Sequence, residues 1–274
     1  MPVIIKGAGD LASGIALRLF HAGFDMLMTE IAAPLTVRRT VAFSRAVYEG
    51  RAAVEDAGAV LVKDEAGIRE ALAQKLIPVL VDPQAAIAKQ LNPPALIDAI
   101  MAKKNTGTAI TDAPLVIGLG PGFSAGFDCH VVIETMRGHY LGRVITKGSA
   151  IPNTGVPGGI EGFSTERLLR CSAAGVFEAK AAIGDPVRKG GEVAAVRSER
   201  GPIPIHAEID GVLRGLLPSG IPVGKGMKAG DIDPRCEAAH CFTVSDKALA
   251  IGGGVLEALL RFLPPYALFQ GGRG

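Results

Sequence analysis

Short apolar runs, rich in β-branched residues, alternate along the first half of the chain with glycine-containing turns and with segments of helical periodicity. Val3, Ile4 and Ile5 make the first run, suited to a buried strand. Leu11, Ile15, Leu17, Leu19 and Phe20 then recur at helical spacing, and FDMLMTEI reads as a second strand ending at Glu30. AVLVKD and IPVLVDP follow as strands, with EAGIREALAQKL as a helix between them. ALIDAIMAKKN and PLVIGLGPGF add two more strands, and HVVIET and YLGRVI, separated by MRGH, form a hairpin. This alternation predicts an α/β fold with a Rossmann-like, mostly parallel sheet over residues 1–165.

The pattern changes over residues 166–235. GDPVRKGGEVAAV and GIPVGKGMKAGDI are related turns, each with G-x-P-V, a basic residue and glycine. Short strands at regular turns predict a small β module, and the paired halves resemble a biotinyl/lipoyl-type barrel-sandwich hybrid. A modifiable lysine belongs on the hairpin between such halves, where this chain has RSERGP, so no covalent biotin or lipoyl group is expected. Lys225 and Lys228 fall in the terminal turn, and Gly224-Lys225 lacks the Ser or Thr of a phosphate loop. Residues 236–274 predict a C-terminal amphipathic helix beginning near Gly254, where Gly252, Gly253 and Gly254 present bare amides, an anion site or simply a tight turn into the helix. Its apolar face docks on the first domain or on another subunit of a homo-oligomer.

Composition narrows this picture. Hydrophobic residues make up 48% of the 274 positions and aromatic ones 5%, with 36 Gly and no Trp, which suits a tightly turned α/β protein. The net charge of +2 gives no electrostatic case for nucleic acid. Every apolar run is interrupted short of membrane-spanning length, and Met1-Pro2 leads straight into a strand, so a cytoplasmic location is expected. Cys129, Cys171, Cys236 and Cys241 are too scattered for a disulfide framework. Cys236, His240 and Cys241 lie close together but lack C-x-x-C spacing and a fourth ligand, so no metal site is assigned. Cys241 is the candidate for a reactive thiol.

The chemistry concentrates at the first turn. Gly7-Ala8-Gly9-Asp10-Leu11-Ala12 follows G-x-G-x-x-G/A: Gly7 for the tight turn, Gly9 for close approach to a pyrophosphate, Ala12 for helix–strand packing. Glu30 stands about twenty residues on, where a ribose-binding acid belongs. Asp10 is at odds with an NAD site. It either caps the helix or faces a ligand or metal, and its charge repels a pyrophosphate placed there. Arg38 and Arg39 sit where arginine accommodates an extra phosphate, or form a solvated surface. Ligands bind beyond the carboxyl ends of parallel strands, a rule that also gathers Asp82, Lys103, Lys104, Asn105 and the glycines 118, 120 and 122 into one crevice. Gly118, Gly120 and Gly122 offer an anion nest or a sharp structural loop, and Asp82 before Pro83 also reads as a turn start.

Taken together, GAGDLASGIALRL, PLTVRRTVAF with AVYEG, KKNTGT, LGPGF, VVIET with RGH, GVLRGLL with KGMK and GDIDPR, and SDKALAIGGGVLEALL resemble the YqeB-type family of the selenium-dependent molybdenum hydroxylase system, over nearly the whole chain. The resemblance implies a Rossmann-like domain, a barrel-sandwich module and a part in maturing molybdenum hydroxylases. The partners it implies are a molybdenum hydroxylase or its maturation factors. Two positions depart from the pattern: Arg45 stands where an acid is expected, and Cys236 where a small or polar residue is usual. The resulting expectation is an accessory protein that binds a phosphate-bearing cofactor, of molybdopterin or nucleotide type, with no catalytic residue assigned. An NAD(P)-dependent oxidoreductase is the second reading, though no acid–base pair accompanies Gly7, Gly9, Ala12 and Glu30. An interaction scaffold is the third.

Overall fold

Strands in the middle of a parallel sheet are covered on both faces and so need apolar residues at nearly every position. Four such strands, β1 (Val3–Lys6), β2 (Met26–Glu30), β5 (Ile77–Val81) and β6 (Ala95–Asp98), come almost entirely from buried residues. In the computed structural model, which describes residues 1–156 and 158–264, they join a nine-stranded sheet ordered β3-β4-β5-β2-β1-β6-β7-β8-β9. Its other strands are β3 (Arg51–Val54), β4 (Ala57–Val62), β7 (Leu115–Leu119), β8 (Val131–Ile133) and β9 (Val144–Ile145). The seven strands from β4 to β8 in that order run parallel, and β3 and β9 close the two edges antiparallel. The predicted hairpin is the β8–β9 pair. β2 and β5 lie on one side of β1, and β6, β7 and β8 on the other, so the winding reverses between β1 and β6.

Alternation along each strand divides the core. Ile4, Leu27, Leu96, Val116 and Val132 share one face with Ile68 and Ala71 of α3 (Glu65–Ala73) and with Ala88 and Leu91 of α4 (Ala88–Leu91). The opposite face receives α1 (Asp10–His21) and α5 (Asp246–Phe262). The short α2 (Ala46–Glu49) precedes β3.

Helices α1 and α5 run side by side in the same direction. A Cβ on Gly14 would lie 2.5 Å from the Cβ of Ala248, and one on Gly252 would lie 3.3 Å from the Cα of Ile15. Contacts thus advance together along both helices. Gly254 lies against the Gly142 carbonyl behind β8. These glycines correct the sequence expectation: α5 begins at Asp246, not near Gly254, with the Ser245 hydroxyl accepting the Ala248 amide at 3.2 Å. Gly252, Gly253 and Gly254 are therefore mid-helix, their amides committed to the helix, and two of them serve close packing.

The chain divides into two units: Met1–Pro34, Ala42–Thr154 and the chain from Val244 on form the first, and Leu35–Val41 with Gly155–Thr243 form the second. The boundaries differ from those near 165 and 235 read from sequence. The Gly158 carbonyl accepts from Arg167, which ties the preceding loop into the second unit. The terminal helix is no separate segment, since it packs on α1; residues 265–274 of that predicted segment lie outside the described residues.

Among its described residues the second unit contains two four-stranded antiparallel sheets and no closed barrel. One sheet is ordered β10 (Leu168–Arg170), β17 (Lys228–Asp233), β15 (Gly211–Leu216), β12 (Pro186–Val187). The other is ordered β14 (Gly201–His206), β13 (Glu192–Ser198), β11 (Gly175–Ala179), β16 (Pro222–Val223). The two related sequence turns interlock the sheets: β12 from the first pairs with β15, and β16 from the second pairs with β11. RSERGP forms the tip of the β13–β14 hairpin. Beneath lies a charged network, with Arg167 and Arg214 on Asp231, and Arg214 and Arg235 on Asp233. Burial alone would raise the Asp233 carboxyl, but hydrogen bonds from Arg235 and the charge of Arg214 hold it down at about 2.

Among the described residues no helix is long and apolar enough to cross a membrane. The α1–α5 contact is the packing feature most exposed to a single change. Gly14→Val forces side-chain atoms into Ala248 and Val244, so denaturant unfolding should show a loss of about 2–3 kcal/mol. A loss below about 0.5 kcal/mol would mean the helices can separate freely.

Candidate functional site

The reversal between β1 and β6 marks the edge where ligands bind in open parallel sheets. Lys6 and Asp98 end these two strands and are register partners. Both are almost fully buried, as is Thr108. The Lys6 ammonium donates to Thr108 Oγ1 at 3.1 Å, and that hydroxyl donates to Asp98 Oδ2 at 2.6 Å. Lys6 Nζ lies 3.9 Å from the same carboxylate oxygen. Thr108 therefore relays between two buried charges and pins the loop after β6 to the floor of the crevice.

Asn105 continues this pinning instead of facing outward. Its Oδ1 accepts the amides of Gly107 and Thr108, and its Nδ2 donates to the Thr108 carbonyl and to Asp128. Asp128 in turn accepts the Ser124 amide. Lys103 and Lys104 are exposed on the same loop. The glycine loop after β7 lies directly on it: a Cβ on Gly122 would come within 2.6 Å of the Lys104 Cα. Gly118 is pressed by the Phe123 ring and Gly120 by Thr135, and the Gly120 amide donates to Ile133. Close packing accounts for all three glycines.

On the other side of the switch, Gly7 takes φ +100° and its amide donates to the Thr29 carbonyl. Glu30 Oε2 accepts the Ala8 amide at 2.9 Å, while Oε1 accepts the Ile31 amide at 2.8 Å. Burial raises the Glu30 carboxyl above its usual range, opposed by these two bonds. Its carboxylate thus holds the glycine turn. Asp82 similarly caps its own turn, Oδ2 accepting the Ile87 amide at 2.9 Å.

Gly9 is the N-cap of α1, and Asp10 is its first helical residue, with Ala12 buried in the first turn. An acid there complements the helix dipole. The first turns of α1 and α5 open at the same edge, and N–H groups in a first turn lack acceptors within their helix. Lys247, in the first turn of α5, is half-buried. Burial lowers its pKa below the ordinary lysine value, as does Arg137; Asp10, Glu134 and Asp246 act in the opposite sense. Arg137 is clamped by Asp246 through two bonds of 2.5 and 3.0 Å. The arrangement places a desolvated ammonium and two helix N-termini at one end of one sheet, a combination suited to phosphate.

Of the residues singled out from sequence, Gly7, Gly9, Asp10, Ala12, Glu30, Asp82, Lys103, Lys104, Asn105, Gly118, Gly120 and Gly122 belong to this edge of the first unit. Arg38 and Arg39 belong to the second unit. There Arg38 donates to the carbonyls of His240 and Thr243, and Arg39 Nε to Leu216 at 2.7 Å. Cys241 is buried, which pushes its thiol up and argues against a reactive role. Among the described residues no group of three or more His, Cys, Asp or Glu side chains could hold a metal ion. Sequence reasoning missed Lys6, Asp98, Thr108, Glu134, Arg137 and Lys247. A charged residue ending an all-apolar strand was the available signal for Lys6, and the Ser245 cap for Lys247.

Removing the Thr108 hydroxyl tests the buried relay. Thr108→Val should cost about 2–3 kcal/mol in denaturant unfolding, because two buried charges lose their shared partner, and Thr108→Ser should recover most of it. Equal stability of the valine and serine variants would contradict the relay.

No family model matches the chain. Over 261 residues, 95% of this chain, it is 49% identical to the uncharacterized protein YqeB of Escherichia coli K12. The chain spans about half, 48%, of that relative's length. Solved structures give only faint likenesses. An aspartoacylase family protein of Mesorhizobium loti matches with a TM-score of 0.24 and 18% identity, over 25% of this chain and 23% of that one. The product-bound ectoine utilization protein EutE (DoeB) of Ruegeria pomeroyi matches with a TM-score of 0.25 and 13% identity, over 76% and 57%. Neither carries an argument about this chain.

Proposed function

We propose, from the premise that 49% identity over 95% of the chain supports membership of the YqeB family, that this protein binds a phosphate-bearing organic cofactor in the maturation of selenium-dependent molybdenum hydroxylases. The cofactor is of molybdopterin or nucleotide type. Its phosphate rests against the first turns of α1 and α5, where the Lys247 ammonium and the two helix N-termini offset the repulsion that Asp10 alone would exert, and its organic part extends over the switch between β1 and β6. In this reading the first unit is a Rossmann-like binding domain, and the second is a barrel-sandwich-type module that meets the hydroxylase or another maturation factor.

The observation that carries the reading is Lys247, a half-buried ammonium whose surroundings disfavour its charge. An incoming phosphate relieves that cost. Asp10 lies within its electrostatic reach and serves as its counter-ion until the ligand arrives. What weighs against the dehydrogenase reading is Glu30, whose carboxylate oxygens already accept the Ala8 and Ile31 amides.

Two outcomes follow for Lys247→Met. Thermal stability should hold, because a desolvated charge is removed, while affinity for a pterin or purine nucleotide measured by calorimetry should fall at least tenfold. In the parent protein the same affinity should decline as pH rises through the lowered Lys247 pKa, earlier than an exposed lysine would dictate. Deleting the gene should leave molybdenum hydroxylases without their cofactor, a defect that the parent restores and Lys247→Met does not. Fully loaded hydroxylases in the deletion strain, or hydride transfer from NADH by the purified protein, would overturn the proposal.

A further inference from the structure

A second feature of the first unit lies on the β8–β9 hairpin; it shares Glu134 with the surroundings of Lys247 but rests on different observations. Ile133 and Val144 are register partners, so Glu134 and Arg143 are the next pair along, and the Glu134 amide donates to the Arg143 carbonyl at 3.0 Å. Opposite charges placed across two antiparallel strands in this way are ordinarily within pairing distance. Among the described residues these two do not pair. The Glu134 carboxylate, almost fully buried, accepts the Thr135 and Met136 amides on Oε1 at 2.8 and 2.7 Å and the Ile151 amide on Oε2 at 2.8 Å. The Arg143 guanidinium instead lies over the Tyr140 ring, 4.8 Å from its centroid. Among the described residues its side-chain N–H groups meet no carboxylate.

Between the splayed charges opens a cleft of ≈ 350 Å³ lined by both of them, with Ile145, Ala150 and Ile151 among its apolar walls. Its size falls at the lower end of small-molecule sites, about 300–1,000 Å³. Each charge is held in place from behind. Three amides fix the carboxylate while leaving one acceptor position on Oε2, and the Tyr140 ring supports the Arg143 guanidinium at the cleft wall.

We propose that this cleft binds a small zwitterion, an α-amino acid with an apolar side chain. Its ammonium meets Glu134 Oε2, its carboxylate takes the Arg143 fork, and its side chain lies on Ile145, Ala150 and Ile151. Charge selects this class over a phosphate. A dianion would have one guanidinium to neutralise it and a buried carboxylate to repel it, whereas a zwitterion satisfies both ends.

Calorimetric titration of the whole chain with L-leucine, L-methionine and L-phenylalanine tests the site, with N-acetyl-L-leucine and L-leucinamide as end-blocked controls. Saturable binding of at least one free amino acid is expected, weakened at least tenfold when either end is blocked and at least tenfold in Arg143→Ala. Arg143 is exposed, so its truncation should leave the melting temperature unchanged; the blocked analogues decide the matter on the parent protein independently of any variant. Absence of binding by all three amino acids would overturn the proposal, as would equal binding of an end-blocked analogue or unaltered affinity in Arg143→Ala.

Discussion

The phosphate site proposed for the first unit depends on how closely α1 and α5 approach. Gly14 admits Ala248 and Val244, Gly252 admits Ile15 and Arg18, and Gly254 admits the Gly142 carbonyl. With side chains at Gly14 or Gly252 the two helices would stand farther apart, and Lys247 would fall away from Asp10. The shared direction of the helices matters as much as their separation. It brings two partial positive charges to the carboxyl edge of the sheet, where a single helix would bring one. A lysine that is both half-buried and set among Arg137, Asp10 and Glu134 is then the natural centre of that edge.

The crevice floor is organised by a different force. Burying Lys6 and Asp98 is costly, and Thr108 makes it tolerable by bonding to both. The same threonine, with Asn105, fixes the loop after β6, and the glycine loop after β7 packs on that loop in turn. Polar groups beneath the site therefore determine the backbone above it. In the second unit, Asp231 and Asp233 play a comparable part, each held by two arginines.

Much of the parallel sheet was legible in the sequence, because strands covered on both faces leave uninterrupted apolar runs such as Val3–Ile5 and Ile77–Leu80. The glycine turn and the acid at the end of β2 were legible too, but the conformation of Glu30 was not: whether a carboxylate turns onto its own backbone or outward depends on the path of the turn. Gly252 to Gly254 misled for a physical reason. Glycines mark helix ends when only local rules act, and here their partners Gly14 and Gly142 lie more than a hundred residues earlier in the chain. Arg38 and Arg39 looked like phosphate ligands from their spacing after Glu30, yet the chain crosses into the second unit at Leu35, where backbone carbonyls take them up. Lys247 carried no local signal beyond a capped helix start, since its character comes from Asp10, Glu134 and Arg137 on distant elements.

The central claim is that the paired first turns of α1 and α5 receive a phosphate. Backbone amide NMR of the parent protein during titration with pyrophosphate tests it most directly, because each amide reports its own environment. The account predicts saturable shifts centred on residues 9–12 and 246–248, with the loop at 118–122 little affected. Shifts centred on the 118–122 loop, or none at either helix start, would contradict it.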